Sequence, residues 1–90
     1  MKVKINNQDY WITFNYKVSG HELARSNSVI TRCVIETRGF SEITSGVAVC
    51  NLEHDRFVKE TGRKLSLARA LKFFDRDTRK LFWDAYLNRK

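Results

Sequence analysis

A chain of 90 residues with 42% hydrophobic content, including six Phe, three Tyr and two Trp, has material for one core and not for two, so residues 1–90 are expected to form a single domain. Two cysteines are too few for the disulfide framework of small secreted domains, no apolar run approaches the ~20 residues of a membrane span, and the N-terminus lacks the apolar stretch of a signal peptide. The expected setting is therefore cytoplasmic, without membrane contact. The net charge of +7 sits at one end: residues 1–55 hold six basic and six acidic groups, whereas residues 56–90 hold eleven basic and four acidic ones, which points to an anionic partner for the C-terminal part.

Met1, Val3 and Ile5 alternate with Lys2 and Lys4, and the alternation resumes at Tyr10, Ile12, Phe14, Tyr16 and Val18. Two strands of a hairpin with one apolar face are predicted, joined by a turn over Asn6-Asn7-Gln8-Asp9, since Asn and Asp tolerate positive φ. A loop follows from Ser19-Gly20 to Ser28. Val29, Thr31, Cys33 and Ile35 then share one face of a third strand, with Arg32 and Glu36 on the other. Arg38 to Ser45 reads as a connection and Gly46 to Cys50, short and rich in valine, as a fourth strand.

After residue 51 the period changes. Leu67, Ala70, Leu71 and Phe74 have helical spacing, and Gly62 is placed at a turn separating this helix from a short one over Glu53 to Glu60. Asp75 or Asp77 caps a further helix in which Thr78, Leu81, Phe82, Ala85 and Tyr86 form the apolar stripe. Aromatic side chains such as Trp11 and Trp83 can stack on the bases of a single-stranded ligand, although such residues are more often core. Trp83 and Trp11 fall off their stripes, which suits an exposed contact or a second packed face. Strands first and helices last predict an α+β fold: an antiparallel sheet of about four strands followed by two or three C-terminal helices packed on one face.

The residues with the clearest chemistry are basic. With a helix beginning near Arg63, Arg63 and Lys64 occupy its first turn, where the macrodipole already places positive charge; a bound anion would reverse that penalty, and the flexible Gly62 with free backbone N–H groups would complete a phosphate site. Arg69, Lys72 and Arg76, at i, i+3 and i+7, would extend the surface along one helix face, and Arg56 and Lys59 precede it. The competing account is a Gly62 helix cap with Arg63 and Lys64 in a solvated link.

Metal and catalytic readings carry less. Cys50-x-x-x-His54, with Cys33 and His21, supplies zinc ligand types without the paired spacing of structural sites, so neither metal nor cofactor is expected. Cys50, His54 and Asp55 hold the residue types of a nucleophile, base and orienter, yet such a site needs convergence in space, and no glycine-rich nucleotide loop or nucleophile elbow is present.

Gly46-Val47-Ala48-Val49-Cys50, Asp55-Arg56-Phe57, Gly62-Arg63-Lys64 and Arg69-Ala70-Leu71, spanning 26 residues, resemble a pattern of small bacteriophage and prophage proteins. That resemblance implies a host-cytoplasm setting and an accessory or anti-defence role, such as CRISPR inhibition, and it supplies no catalytic residues. Strands followed by Gly62-Arg63-Lys64 and an Ala/Leu helix are also similar to the C-terminal half of double-stranded RNA-binding domains, without their leading helix and paired-lysine helix start. The expectation is a non-enzymatic binding protein that contacts nucleic acid or a nucleoprotein through Arg56, Lys59, Arg63, Lys64, Arg69, Lys72 and Arg76. The alternative is an inhibitor or adaptor that recognises an acidic host protein without nucleic acid.

Overall fold

A computed structural model describes residues 1–19, 28–37, 41–51 and 58–88. Four strands, β1 (Lys2–Ile5), β2 (Gln8–Ser19), β3 (Ser28–Thr37) and β4 (Ser41–Asn51), form one antiparallel meander in the order β1-β2-β3-β4. Two helices follow, α1 (Lys59–Ala70) and α2 (Arg76–Leu87), linked by a 3₁₀ turn over Leu71–Phe73. The arrangement is α+β, with both helices on the same face of the sheet.

The hairpin is tighter than its sequence suggests. Asn6 (φ 52°) and Asn7 (φ 67°) are both left-handed, which makes a two-residue turn of the primed kind whose twist matches the strands. Ile5 therefore pairs directly with Gln8, and Gln8 and Asp9 belong to β2 rather than to the turn. That register sets Lys4 opposite Asp9 and brings the Lys2 ammonium 3.7 Å from the Asp9 carboxylate.

The predicted alternation is realised in β3 and in the first part of β2, whereas Tyr16 and Val18, at the far end of the predicted apolar face of β2, are 37% and 69% exposed. Ile12 pairs with Ile35 and Phe14 with Cys33, and Val29, Thr31, Cys33 and Ile35 are all buried towards the helices. Arg32, on the opposite face, ion-pairs with Glu42 at 3.0 Å.

In contrast, β4 begins at Ser41 and not at Gly46. Most of the predicted connection, residues 41–45, is strand; residues 38–40 lie outside the described part. Two features hid it. A register shift beyond Ile35, which pairs with Thr44 while Glu36 pairs with Glu42, interrupts the alternation at Ile43. Thr44 also stands where an apolar residue would otherwise mark the buried face, and its hydroxyl donates to the Ala70 carbonyl at 2.9 Å. The bond ties the end of α1 to β4.

The start of α1 also departs from expectation. Helix begins at Lys59, after Val58 in extended conformation, so Gly62 lies inside it and Arg63 and Lys64 occupy its second turn. No turn separates Glu60 from Arg63, and residues 52–57, which include most of the predicted short helix, lie outside the described part. Gly62 is there for packing: a Cβ at this position would stand 2.5 Å from the Thr31 hydroxyl oxygen. Gly46 does the same from below, since a Cβ there would lie 2.2 Å from the Ser66 carbonyl oxygen and 2.4 Å from the Ala70 nitrogen. With Thr31, Cys33 and Ala48 as the other small residues of this patch, the α1 backbone rests almost on β3 and β4. Close approach of this kind is open only to residues without a Cβ.

Above β1 and β2 the filling is aromatic instead. Tyr10 meets Phe82 at 5.2 Å and Phe74 at 5.8 Å, and Phe14 meets Tyr86 at 6.0 Å between ring centres, all in tilted or edge-on contacts that such rings favour. Asp75 is the α2 cap, its carboxylate accepting from the Thr78 N–H at 3.3 Å. Hydrogen bonding with Thr78, its side chain foremost and its backbone N–H after it, holds the Asp75 pKa below the ordinary carboxylate value. The α2 face differs from the predicted stripe at one residue. Phe82 and Tyr86 are buried, but Leu81 is 42% exposed and Trp83 packs against the core in its stead. The helix is rotated so that its inner line runs through Phe82 and Tyr86 and leans towards Trp83.

Gly46→Ala is expected to cost about 3 kcal/mol or more, because the groups in the way are main-chain atoms that yield only if α1 shifts. Thermal unfolding followed by circular dichroism should show a Tm lowered by at least about 10 °C. The same measurement checks the rotation of α2: Phe82→Ala should cost about 3 to 5 kcal/mol, and Leu81→Ala should stay within about 0.5 kcal/mol of the parent. Equal losses at the two positions would refute the orientation.

Candidate functional site

The seven basic residues singled out in the sequence do not form one surface. Arg56 lies outside the described residues. Lys59 and Arg63, one turn apart on α1, both turn to Tyr16 of β2: the Lys59 ammonium stands 5.4 Å and the Arg63 guanidinium 6.0 Å from the ring centre. Arg63 Nε donates to the Tyr16 hydroxyl at 2.6 Å, and another guanidinium nitrogen lies 3.6 Å from the Glu60 carboxylate. Glu60 in turn accepts from the Tyr86 hydroxyl at 3.1 Å. The pKa of Arg63 is raised above its already high value, chiefly by the Tyr16 hydrogen bond. This chain of contacts ties β2, α1 and α2 together, so Arg63 has a structural role, and it lies in the second turn of α1 rather than at the helix start that the sequence suggested.

Arg69 is also engaged. Its guanidinium donates to the Val47 carbonyl on β4. Lys64, on α1, and Lys72, in the 3₁₀ turn, face solvent. Arg69, Lys72 and Arg76 do not share a helix face, because α1 ends at Ala70 and Arg76 opens α2 after the Asp75 cap.

Where Arg76 goes defines the most concentrated basic feature among the described residues. Arg76, Arg79, Lys80 and Trp83, at i, i+3, i+4 and i+7 of α2, line one open cleft together with Asp77. Helical geometry gives these positions a common side. Among the described residues, none of Arg76, Arg79 and Lys80 has a carboxylate within ion-pair distance. Trp83 is half-buried, its ring perpendicular (87°) to that of Tyr86 at 5.9 Å. The indole is thus held by the core on one side and borders the cleft on the other. Arg79 and Lys80 were missing from the sequence-derived set, in which Trp83 entered only as an off-stripe residue suited to an exposed contact or a second packed face. Their signal was the i, i+3, i+4, i+7 spacing beside an off-stripe Trp83, obscured because Arg76 was assigned to a continuation of the preceding helix.

The thiol of Cys33 is inert by comparison. Cys33 is fully buried on β3, and burial pushes its thiol up to about 12, far from the thiolate that a nucleophile or metal ligand requires. Cys33 is in register with Gly46, four residues from Cys50 on β4, which separates the two cysteines by roughly 13 Å along the strand at the usual rise per residue. They share neither a metal nor a disulfide at that distance. His21, His54 and Asp55 lie outside the described residues, and among the described residues no group of three or more His, Cys, Asp or Glu side chains could hold a metal ion. No helix of the described residues is long and apolar enough to cross a membrane.

The two adjacent cations Arg63 and Lys64 are expected to respond oppositely to removal. Arg63→Ala should lower stability by about 0.5 to 1 kcal/mol, the scale of an exposed cation–π contact with a modest ion pair, whereas Lys64→Ala should leave the melting curve unchanged. Denaturant titration of the two single variants measures both, and equal behaviour would remove Arg63 from its structural role. Compared with known protein families, with curated protein sequences and with solved structures, the chain has no match in any of the three.

Proposed function

We propose that the chain is a non-enzymatic binding protein that contacts nucleic acid, free or within a nucleoprotein, through the basic surface of its C-terminal helices. The observation that carries this reading is the α2 cleft, where Arg76, Arg79 and Lys80 gather beside Trp83 with no carboxylate in ion-pair distance among the described residues. Three cations held on one side of a helix repel one another. Phosphates relieve the repulsion and release condensed counterions, which is the main source of affinity in protein–nucleic acid contacts. Lys72, exposed in the 3₁₀ turn just before α2, and Lys64 add to the same excess of charge. The likeness of residues 46–71 to small phage and prophage proteins supports a host-cytoplasm setting and an accessory or anti-defence role, in which a guide-RNA nucleoprotein is a fitting target.

The test is a fluorescence-anisotropy titration with labelled single-stranded and duplex RNA and DNA at several salt concentrations. Replacing Arg76, Arg79 and Lys80 together by Gln should abolish binding near physiological salt and reduce the salt slope by up to about one unit per lost phosphate contact, without lowering the Tm. Affinity unchanged by the triple replacement would overturn the assignment of the surface. Absence of binding to any nucleic acid at low salt, together with recovery of a nuclease-resistant acidic protein partner, would favour the inhibitor or adaptor reading.

A further inference from the structure

Resting on the nucleic-acid reading above, we propose that the α2 cleft is a site for an unpaired nucleotide, with Trp83 as the stacking platform and Arg76, Arg79 and Lys80 as the phosphate ligands, so that the protein prefers single strands to duplexes. A patch that only neutralised phosphates would need cations alone, and it would work best as a convex or flat ridge along a groove. Here a large aromatic borders the same concavity as the cations. Every base has a face to stack, but in a duplex those faces are already occupied by neighbouring pairs.

Three details of the cleft favour a base over a bare polyanion. Trp83 is already immobilised by its perpendicular contact with Tyr86 and its packing on the core, so little ordering entropy is lost when a ring stacks on it. In a helix, side chains lean towards the N-terminus, so Arg79 and Lys80, one turn before Trp83, flank the ground beside the indole, and Arg76 lies about 10 Å along the axis from it at the helical rise of seven residues. A strand threading past the indole therefore meets cations in succession. Asp77 is the third detail. A carboxylate among phosphate ligands opposes a polyanion, but it accepts readily from the exocyclic amino group of a base, as acidic side chains do with cytosine. The N-terminal backbone N–H groups of α2 are not the anchor, because the Asp75 carboxylate already occupies that end.

The experiment uses Trp11→Phe protein, in which Trp83 is the remaining tryptophan. Its emission is titrated with a mixed-sequence single strand, the duplex of the same sequence and an abasic strand of equal length, each as DNA and, where it exists, RNA. The single strand should quench Trp83 and bind about tenfold more tightly than either control, the scale of one base–aromatic stack. Trp83→Leu should remove that advantage and leave abasic-strand binding unchanged, while Trp83→Phe, which keeps a ring against Tyr86, should retain most of it. Should Trp83→Leu fail to fold, the quenching and the abasic comparison on the parent background still decide. Equal affinity for single strand, duplex and abasic strand with unquenched Trp83 would overturn the stacking site while leaving nucleic acid binding standing. No binding of any strand would overturn both.

Discussion

Gly46 on the sheet and Gly62 on α1 let a helix backbone lie nearly in contact with two strands, and the placement of almost every other group depends on that approach. Because α1 sits so low, the sheet beneath it must be small, and Thr31, Cys33 and Ala48 comply. The low seat also brings the end of the helix within reach of Thr44, which takes the Ala70 carbonyl, and brings Arg69 to the strand it crosses. Over β1 and β2 the opposite solution holds. Tyr10, Phe14, Phe74 and Phe82 fill a deeper space, and α2 rides on rings rather than on backbone. Different thicknesses of filling under the two helices are compatible because the 3₁₀ turn and the Asp75 cap break the chain between them.

Charge follows the same division. Where α1 meets the sheet, cations are drawn into structural contacts: Arg63 with Tyr16 and Glu60, Lys59 over the Tyr16 ring, Arg69 on a strand carbonyl. On α2 the inner line is fully apolar, so its cations remain on an outer side with only Asp77 among them at the cleft. A formal count of basic residues therefore overstates what the α1 half offers to a partner. It describes α2 more faithfully, where Arg76, Arg79 and Lys80 border the same cleft as the Trp83 indole.

Several of these features are legible in the residues and others are hidden for definable reasons. Alternation gives the buried face of β3 and of the first part of β2, where Ile12, Cys33 and Ile35 make an ordinary apolar choice. It fails at the start of β4, where Thr44 does the work of an apolar residue by bonding a helix carbonyl and the register slips at Ile43. Gly62 misleads for a related reason: glycine marks turns by its freedom of φ, but here it is selected for the missing Cβ, which no local pattern distinguishes. The α2 cleft depends on where one helix stops and the next starts. Once Asp75 is taken as the cap, Arg76 joins Arg79, Lys80 and Trp83, whereas a helix continued from Arg69 hides the group.

The Arg69 contact has a bearing on the protein's behaviour at high concentration. Among the described residues β4 is an edge of the sheet, and it presents Val47 and Val49 with 40% and 60% of their surfaces open to solvent. An exposed, valine-bearing edge strand without proline is the kind of template on which chains add to one another. The guanidinium on the Val47 carbonyl occupies an acceptor that an incoming strand's N–H would need, in the middle of the run, and it sets a fixed positive charge beside the apolar stretch. A second copy would have to strip that bond and bring its own arginine against the first. The edge is thereby guarded by a side chain from the helix above it, a residue that lies outside the sheet.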